Sequence, residues 1–277
     1  MFKYKKALSA VIVGIIMVGA SACGSSNASD NSSKASGEKT TVVNVGTMGT
    51  FSPYSIKNDD GSFTGYDIEV LKLIEKDDKT LKFNFQAMPF DSLFSSLDAN
   101  KIQVIAIETT KTKEREAKYT LTDTSYLLRP MKLIVKDGSP IKSMDDLKGK
   151  TWGGTIGDQH TKFMEEWNQK HGNPFTIKYY EDDFTTICRD IAAGRIDGTV
   201  NSPDASMDKA KKQHTPVTPV GKVINQVPVY FTLRKTTQGK ELRDRLYRDL
   251  KELKNDGELS KLSVEWFKGD YTQAAKS

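Results

Sequence analysis

The stretch Trp152-Gly-Gly-Thr-Ile-Gly-Asp-Gln-His contains the glycines and polar residues best placed to bind an anion. It predicts a strand, a glycine turn and the start of a helix, with Asp158 as the N-cap. Free backbone N–H groups and the positive end of the helix would then point at an anion. A dinucleotide site does not fit, because Trp152 stands where the Gly-x-Gly-x-x-Gly pattern needs a glycine.

Short catalytic and metal-binding motifs do not occur elsewhere in the sequence. Gly149-Lys150-Thr151 matches the end of a phosphate loop, but Met144 occupies the position of its first glycine. The sequence has no Gly-x-Ser-x-Gly elbow and no His-Glu-x-x-His motif, and its 3 histidines lack metal-ligand spacing. We therefore expect no catalytic residue, no cofactor and no metal.

The elements around these residues alternate between short apolar runs and helical patterns, which is typical of an α/β sheet with helical crossovers. The first series predicts strands at 41–46, 81–86 and 102–107, with helices at 67–76 and 91–98. The pattern then starts again, with strands at 151–155, 176–180 and 196–200 and helices at 158–171, 183–193 and 203–213. Two such series in succession predict two lobes.

Two extended apolar runs, 127–135 and 226–233, each contain a proline, and we interpret them as strands that cross between the lobes. Helices predicted at 239–256 and 258–267 return to the first lobe. The expected organisation is a signal peptide (1–22), an anchor and linker (23–40), lobe I (41–130, completed by 226–277) and lobe II (131–225).

The N-terminus predicts export. Lys3, Lys5 and Lys6 precede an apolar run from Ala7 to Ala22 that is shorter than the roughly 20 residues of a spanning helix, as in a secretory signal. Small residues before Cys23 resemble the lipobox of bacterial lipoproteins, in which the cysteine carries the lipid. The alternative is an ordinary cleaved signal with an incidental cysteine. Residues 24–40 contain six serines and almost no apolar residues, which predicts a flexible linker to the outer face of the membrane.

Charge and cysteine content narrow the classes of partner. Removal of the three N-terminal lysines lowers the formal charge from +5 to +2, which argues against a nucleic-acid partner. With Cys23 lipidated, Cys188 is the remaining cysteine of 2, so no internal disulfide is possible. Cys188 lies on a predicted helix near apolar positions, where a buried core residue is favoured over a catalytic thiol. We expect a monomer.

Several stretches resemble the polar amino acid solute-binding proteins of ABC importers. The first are Val45-Gly-Thr-Met-Gly-Thr-Phe-Ser-Pro-Tyr-Ser-Ile, Asn58-Asp-Asp-Gly and Phe63-Thr-Gly-Tyr-Asp-Ile-Glu-Val. The later ones are Ile102-Gln-Val-Ile-Ala, Thr112-Lys-Glu-Arg-Glu-Ala-Lys-Tyr, Ile141-Lys-Ser-Met-Asp-Asp-Leu-Lys-Gly-Lys and Ala193-Gly-Arg-Ile-Asp. They follow the family's order and spacing from about residue 42 to residue 267, so the resemblance covers essentially the whole mature domain.

The resemblance implies a two-lobed fold of the periplasmic binding protein-like II type, with the crossover strands as a hinge. It also implies capture of a small amino acid by hinge closure, delivery to a membrane permease, and no covalent chemistry. Segments 90–98 and 111–119 look most like the cystine-type branch, whereas Ile107-Glu108 replaces that branch's usual Asn-Gln. An uncharged polar or sulfur-containing ligand, cystine first, is therefore expected.

The resemblance also implies a role for each matched residue. Arg115 matches the family's two-pronged salt bridge to the ligand carboxylate, supported by Thr110. Gly157 and Gln159 match the carboxylate contact from the second lobe, and Thr155 precedes them in the same stretch of candidate contacts. Phe51 and Phe90 match the aromatic pair around the ligand side chain. Met48 stands where relatives selective for cationic ligands place an acid, so it counts against such a ligand.

Two positions depart from the family pattern. Ser202 stands where an aspartate usually grips the ligand ammonium, and Glu108 stands where glycine, serine or glutamine is usual. We hypothesise that Glu108 takes over the ammonium contact. The alternatives are Asp204 as the acid, a solvent-facing Glu108, or a ligand without an α-ammonium.

Two other classes of function remain at this point. One is dehydratase-like chemistry on the same fold, with Glu108 as general acid. The other is a surface adhesin or receptor domain without a small ligand, which the combination of Arg115, Phe51, Phe90 and the Gly157 turn disfavours.

Overall fold

The computed structural model describes residues 40–181 and 184–274. The predicted signal peptide, Cys23 and nearly all of the predicted linker lie outside the described residues. Among the helices that are described, none combines the length and the apolar character that a membrane span needs.

The strands reproduce the predicted alternation and add several short ones. Their bounds are β1 Thr41–Thr47, β2 Thr50–Phe51, β3 Ser55–Lys57, β4 Phe63–Thr64, β5 Leu81–Ala87, β6 Val104–Thr109, β7 Tyr119–Leu121, β8 Leu127–Lys136, β9 Thr151–Thr155, β10 Thr176–Tyr180, β11 Gly198–Asn201 and β12 Val217–Arg234.

The helices likewise follow the apolar periodicity of the sequence. They are α1 Tyr66–Asp77, α2 Phe90–Asp98, α3 Lys113–Lys118, α4 Gln159–Lys170, α5 Phe184–Ala192, α6 Pro203–Gln213, α7 Thr237–Asn255 and α8 Glu258–Phe267, with a 3-10 turn at Met144–Leu147. In α1, for example, Val70, Leu71 and Ile74 recur at helical spacing and are all buried.

Within the described ranges, nine strands form one sheet in the order β10-β9-β11-β8-β12-β6-β1-β5, with β7 paired to β12. In lobe I, β1 runs parallel to β5 and β6, and in lobe II, β9 runs parallel to β10 and β11. The long strands β8 and β12 pair antiparallel and connect these two parallel parts. The predicted crossover strands are thus confirmed, and β12 begins at Val217, ahead of the predicted residue 226.

Separate apolar cores lie on the two sides of the crossover. In lobe I, α1, α7 and α8 bury Leu71, Leu250 and Phe267 against Phe83 and Phe231 of the sheet. In lobe II, one of the two clusters is formed around Trp152, Met164 and Leu133. Each fully buried side chain of this kind contributes about 1.5–3 kcal/mol. The exact boundaries of the two lobes along the chain stay a prediction.

Three local features were not predicted. Strands β2, β3 and β4 form a small antiparallel sheet between residues 50 and 64, and α3 and β7 follow β6. Strands of two or three residues are too short to display an alternating pattern, and none of the six residues of α3 is buried. The small sheet matters because it carries Phe51, and α3 matters because it carries Arg115.

Candidate functional site

A cavity of about 240 Å³ lies between the lobes. Its wall brings together six of the predicted ligand contacts, namely Phe51, Phe90, Glu108, Thr110, Arg115 and Gln159. Met48, Ile107, Thr109 and Arg129 complete it. Gln159, the first residue of α4, is contributed by lobe II. A larger cavity of about 660 Å³ is lined by Val43, Arg234 and Arg245, and no predicted site residue contributes to its wall.

Two phenylalanine rings form apolar parts of the wall. Phe51 ends β2 and packs 5.2 Å from the ring of Tyr54, measured between centroids. Phe90 begins α2, and this residue is 43% exposed although it is large and apolar. Its ring lies 6.0 Å from that of Phe94. An exposed phenylalanine whose ring packs against a second ring is a suitable surface for the side chain of a ligand.

Arg115 is fixed by its own loop. Its Nη1 donates to the carbonyl oxygen of Thr110 at 3.0 Å and to the Oγ1 of Thr110 at 2.9 Å. The Arg115 backbone N–H donates to the Oγ1 of Thr112, the N-cap of α3, at 3.1 Å. Partial burial lowers the pKa of Arg115 below its ordinary value. The result is an oriented, partly desolvated guanidinium, the group that binds carboxylates in bidentate fashion.

Glu108 adopts a backbone conformation that favours glycine, with φ at 55°. Its N–H donates to the Oδ2 of buried Asp67 at 3.0 Å and to the hydroxyl oxygen of Tyr126 at 3.2 Å. A left-handed non-glycine residue costs of the order of 1–3 kcal/mol and persists only where its surroundings enforce it. These two hydrogen bonds hold Glu108 in that conformation, so its side chain is directed by the core of lobe I.

The Glu108 carboxylate is buried and shares a charge pair with Arg129. Its Oε2 lies 3.3 Å from the Nη1 of Arg129 on β8, and its side chain is 0% exposed. Among the described residues, its Oε1 has no hydrogen-bond partner, nor does the Arg129 Nε. Burial raises the pKa of Glu108 from 4.5 to about 7, against the opposing effect of Arg129. The alternative of a solvent-facing Glu108 is therefore wrong, because burial and the Arg129 pair hold this side chain in the site.

Ser202 and Asp204 lie on the lobe II side. Ser202 is the N-cap residue of α6, and its Oγ lies 2.6 Å from the hydroxyl of Tyr54, so the pair joins the two lobes. Ser202 lines an adjoining cavity rather than the one that contains Arg115. Burial raises the pKa of Asp204 to about 6, and its Oδ2 is buried without a partner among the residues described.

Thr155 ends β9, and Gly157 lies in the predicted turn before α4. Asp158 caps the helix as expected, since its Oδ1 accepts from the His160 N–H at 2.7 Å. Gly157 has φ of 76°, and a Cβ there would meet open space. The 240 Å³ cavity is lined by Gln159 but not by Thr155 or Gly157, so the role of those two residues in ligand binding stays a prediction.

The site also includes three residues that were not predicted from the sequence, namely Arg129, Tyr54 and Asp67. Arg129 had a recognisable signal, because it is the first charge in the otherwise apolar start of the run 127–135. A charged residue in a strand with buried neighbours needs a partner. Tyr54 and Asp67 lie within stretches used only for the family resemblance, and their partners are distant in sequence.

The model of the bacterial extracellular solute-binding proteins, family 3, matches residues 43–269. The chain belongs to this family. It is accordingly a solute-binding protein and not an enzyme, and the dehydratase-like and adhesin alternatives are not supported.

Relatives at moderate identity cover nearly the full length. The chain is 31% identical over 272 residues to the L-cystine-binding protein TcyK of Bacillus subtilis, covering 98% of each chain. It is 34% identical over 249 residues to the L-cystine-binding protein TcyJ of the same organism, covering 89% of this chain and 91% of TcyJ. Among solved structures, the probable amino-acid ABC transporter extracellular-binding protein ytmK of Bacillus subtilis matches with TM-score 0.76 and 31% identity, over 84% of this chain and 100% of that one.

Proposed function

We propose that the protein captures a zwitterionic amino acid, L-cystine first, and delivers it to the permease of an ABC importer. The observation that carries this proposal is one cavity whose wall contains both Arg115 and Glu108, beside Phe51 and Phe90. A zwitterion needs a partner for each of its charges when it is taken out of water, because an unpaired buried charge is costly.

Each charged group of the ligand has a proposed partner. Arg115 and Thr110 take the carboxylate, and each charge-assisted hydrogen bond there contributes about 1.5–3 kcal/mol. The Oε1 of Glu108, which is buried without a partner among the described atoms, takes the ammonium group. Asp204 is the competing acid, since its Oδ2 is also buried without a described partner. Gln159 at the start of α4, with Thr155 at the end of β9 and Gly157 between them, contacts the ligand from lobe II when the cleft closes.

The residues of the cavity wall also indicate which kind of ligand side chain fits. Met48 and Phe90 supply apolar and polarizable surface where a cationic side chain would need an acid. The names of the TcyK and TcyJ relatives support cystine as the first candidate. Closure is favoured only by contacts that the ligand makes in the closed state and not in the open one. A ligand that touches both lobes meets this requirement.

We further propose that Cys23 carries a lipid that holds the protein, as a monomer, at the outer face of the cell membrane. Support comes from the lipobox-like residues before Cys23 and the serine-rich linker behind it. A doubly acylated cysteine gives stable anchoring, whereas one chain gives weak and reversible binding.

The proposal is tested by thermal shift and calorimetry with the twenty amino acids, L-cystine and short peptides. At 100 times its Kd, a ligand should raise the free energy of unfolding by about 2.7 kcal/mol. We expect L-cystine to give the largest shift. A screen in which no amino acid or amino-acid derivative stabilises the protein would contradict the proposal.

A further inference from the structure

The segment of β6 that carries Glu108 leaves the regular ladder of the sheet. Strand β6 pairs with β12 at Thr109 opposite Tyr230 and at Ile105 opposite Thr232, so four residue steps on β6 match two on β12. The extra residues of β6 form a bulge, and Glu108 lies in it with φ at 55°. A bulge commonly re-aims a side chain. The direction of the Glu108 side chain therefore depends on what holds this bulge.

Asp67, the second residue of α1, supplies the acceptor that the bulge requires. A buried backbone N–H that leaves a sheet ladder needs another partner. The Glu108 N–H donates to the Asp67 Oδ2 at 3.0 Å and to the Tyr126 hydroxyl oxygen at 3.2 Å. Tyr126 is itself hydrogen-bonded to Asp67 and stacks on Phe231, with ring centroids 4.2 Å apart. Both acceptors are thus fixed by the core of lobe I.

The Asp67 carboxylate destabilises the core in which it lies. Asp67 is 0% exposed, and its Oδ1 has no hydrogen-bond partner among the described residues. Burial first, and then the charge of Glu108, raise the pKa of Asp67 well above its ordinary value. A buried polar atom that is left unpaired lowers stability. A group that lowers stability and fixes one conformation of a residue in a cleft is typical of a binding site.

We propose that Asp67 is a positioning residue that determines specificity: it holds the Glu108 backbone so that the Glu108 carboxylate selects ligands with an ammonium group. Asp67 is not part of the wall of the ligand cavity, so it acts through Glu108. This inference rests on the proposed function, because it assumes that Glu108 binds the ammonium group. Without Asp67 the bulge should relax, while Arg115 keeps its own hydrogen bonds to Thr110.

A double-mutant cycle with L-cystine as the probe separates this role from a merely structural one. We expect Asp67→Ala to weaken L-cystine binding at least about tenfold in the unmodified protein. In the Glu108→Gln background the same change should weaken it less than about threefold, because the carboxylate to be positioned is already gone. A residue needed only for the fold would lower both affinities equally. Calorimetry measures all four proteins.

Two further variants keep the test independent of folding. Asp67→Asn retains an oxygen that accepts from the Glu108 N–H, so it should bind L-cystine within about threefold of the unmodified protein. Tyr126→Phe removes the second acceptor and keeps the ring, so it should weaken L-cystine about threefold to fivefold, and not at all in Glu108→Gln.

Asp249→Ala is the matched control. Asp249 of α7 is also a buried acid of lobe I, 5% exposed, and its Oδ2 has no partner within the described part of the chain. This variant should change stability and leave the affinity for L-cystine as it is.

Equal losses from Asp67→Ala in both backgrounds, or from Tyr126→Phe in both if Asp67→Ala does not fold, would overturn the positioning role and leave the proposed function intact. A Glu108→Gln protein that binds L-cystine as tightly as the unmodified one would instead overturn the proposed ammonium contact, and this inference with it.

Discussion

The Arg115 end and the Glu108 end of the cleft differ in how their partners are assembled. At the Arg115 end, the described hydrogen bonds come from Thr110 and Thr112, within five residues of the arginine. At the Glu108 end, the contacts come from Asp67, 41 residues away, and from Tyr126 and Arg129. The first end is a local structure that is partly exposed, and the second is a buried tertiary network.

This difference has consequences for electrostatics. Partly exposed Arg115 stays charged whatever its neighbours do, since an arginine cannot be deprotonated in proteins. Buried Glu108 has a pKa of about 7, so its charge depends on desolvation and on Arg129. The Arg115 end should therefore provide constant affinity, and the Glu108 end should make affinity depend on pH and on distant residues.

The largest effect is expected at the local end. Arg115→Ala should reduce affinity by at least about a hundredfold, because the ligand carboxylate loses its bidentate partner in a poorly solvated cleft. Lys113→Ala, on the exposed surface of the same helix, is the matched control and should bind normally. Calorimetry on the folded variants decides this. An affinity for Arg115→Ala within about threefold of the unmodified protein would remove Arg115 from the site.

Glu108→Gln tests the buried end. If Glu108 holds the ammonium group, this change should weaken binding by about 1.5–3 kcal/mol through the loss of one charge-assisted contact. Ser202→Asp in the same background should restore part of the affinity, because it places an acid where the family usually has one. The single and double variants, measured with one ligand, give the coupling energy.

The opposite sign is equally informative. If Glu108 only repels the ligand carboxylate, Glu108→Gln should bind more tightly. Tighter or unchanged binding would contradict the relocated acid and direct attention to Asp204 or to a ligand without an α-ammonium.

Affinity should fall as pH is lowered through about 7. Burial raises the pKa of Glu108 to about 7, so at pH 6 only about one tenth of the carboxylates are ionised and affinity should be about tenfold lower than at pH 8. Calorimetry across this range checks the prediction, and Glu108→Gln should lose that part of the dependence. A pH-independent affinity would show that Glu108 is not the ammonium partner.

The same pKa has a consequence of opposite sign for stability. Because the folded-state pKa of Glu108 is raised above its ordinary 4.5, its contribution to stability is fully present below about pH 4.5 and is lost as pH rises through about 7. Binding and stability should thus respond to this residue in opposite directions. Denaturant titrations of the ligand-free protein and of Glu108→Gln separate the two responses.

A smaller effect is expected from the contact between the lobes. Tyr54→Phe removes the hydrogen bond to the Ser202 hydroxyl, a contact of 2.6 Å that exists only when the lobes approach. A net loss of about 0.5–1.5 kcal/mol would lower affinity about threefold to tenfold. Tyr66→Phe removes a hydrogen bond within lobe I, to the carbonyl oxygen of Tyr126, and should alter stability but not affinity. Equal affinities for both variants would mean that this contact does not stabilise the closed state.

No effect on affinity is expected from Cys23→Ala, which should instead release the protein from membranes. Residues 24–40 separate the proposed anchor from both ends of the cleft, so binding should not sense the lipid. Cell fractionation and calorimetry on the same variant provide the two measurements. Membrane retention of Cys23→Ala would show that another segment holds the protein.

The sequence alone determined the fold and the Arg115 end. Apolar periodicity predicted most strands and helices. The hydrogen bond from Arg115 to Thr110 joins two residues that are close together in the sequence. Such features depend on interactions between residues close in the chain. The short strands β2 to β4 were not predicted, because two or three residues give no period.

Only the tertiary structure decided the state of Glu108. Its burial, its left-handed backbone and its pair with Arg129 depend on β6, α1 and β8 meeting at one place. The sequence left a solvent-facing glutamate open, because nothing local distinguishes it from a buried one. Desolvation and long-range charge pairing arise only when distant segments pack together, and they are what turn Glu108 into a titratable group of the cleft.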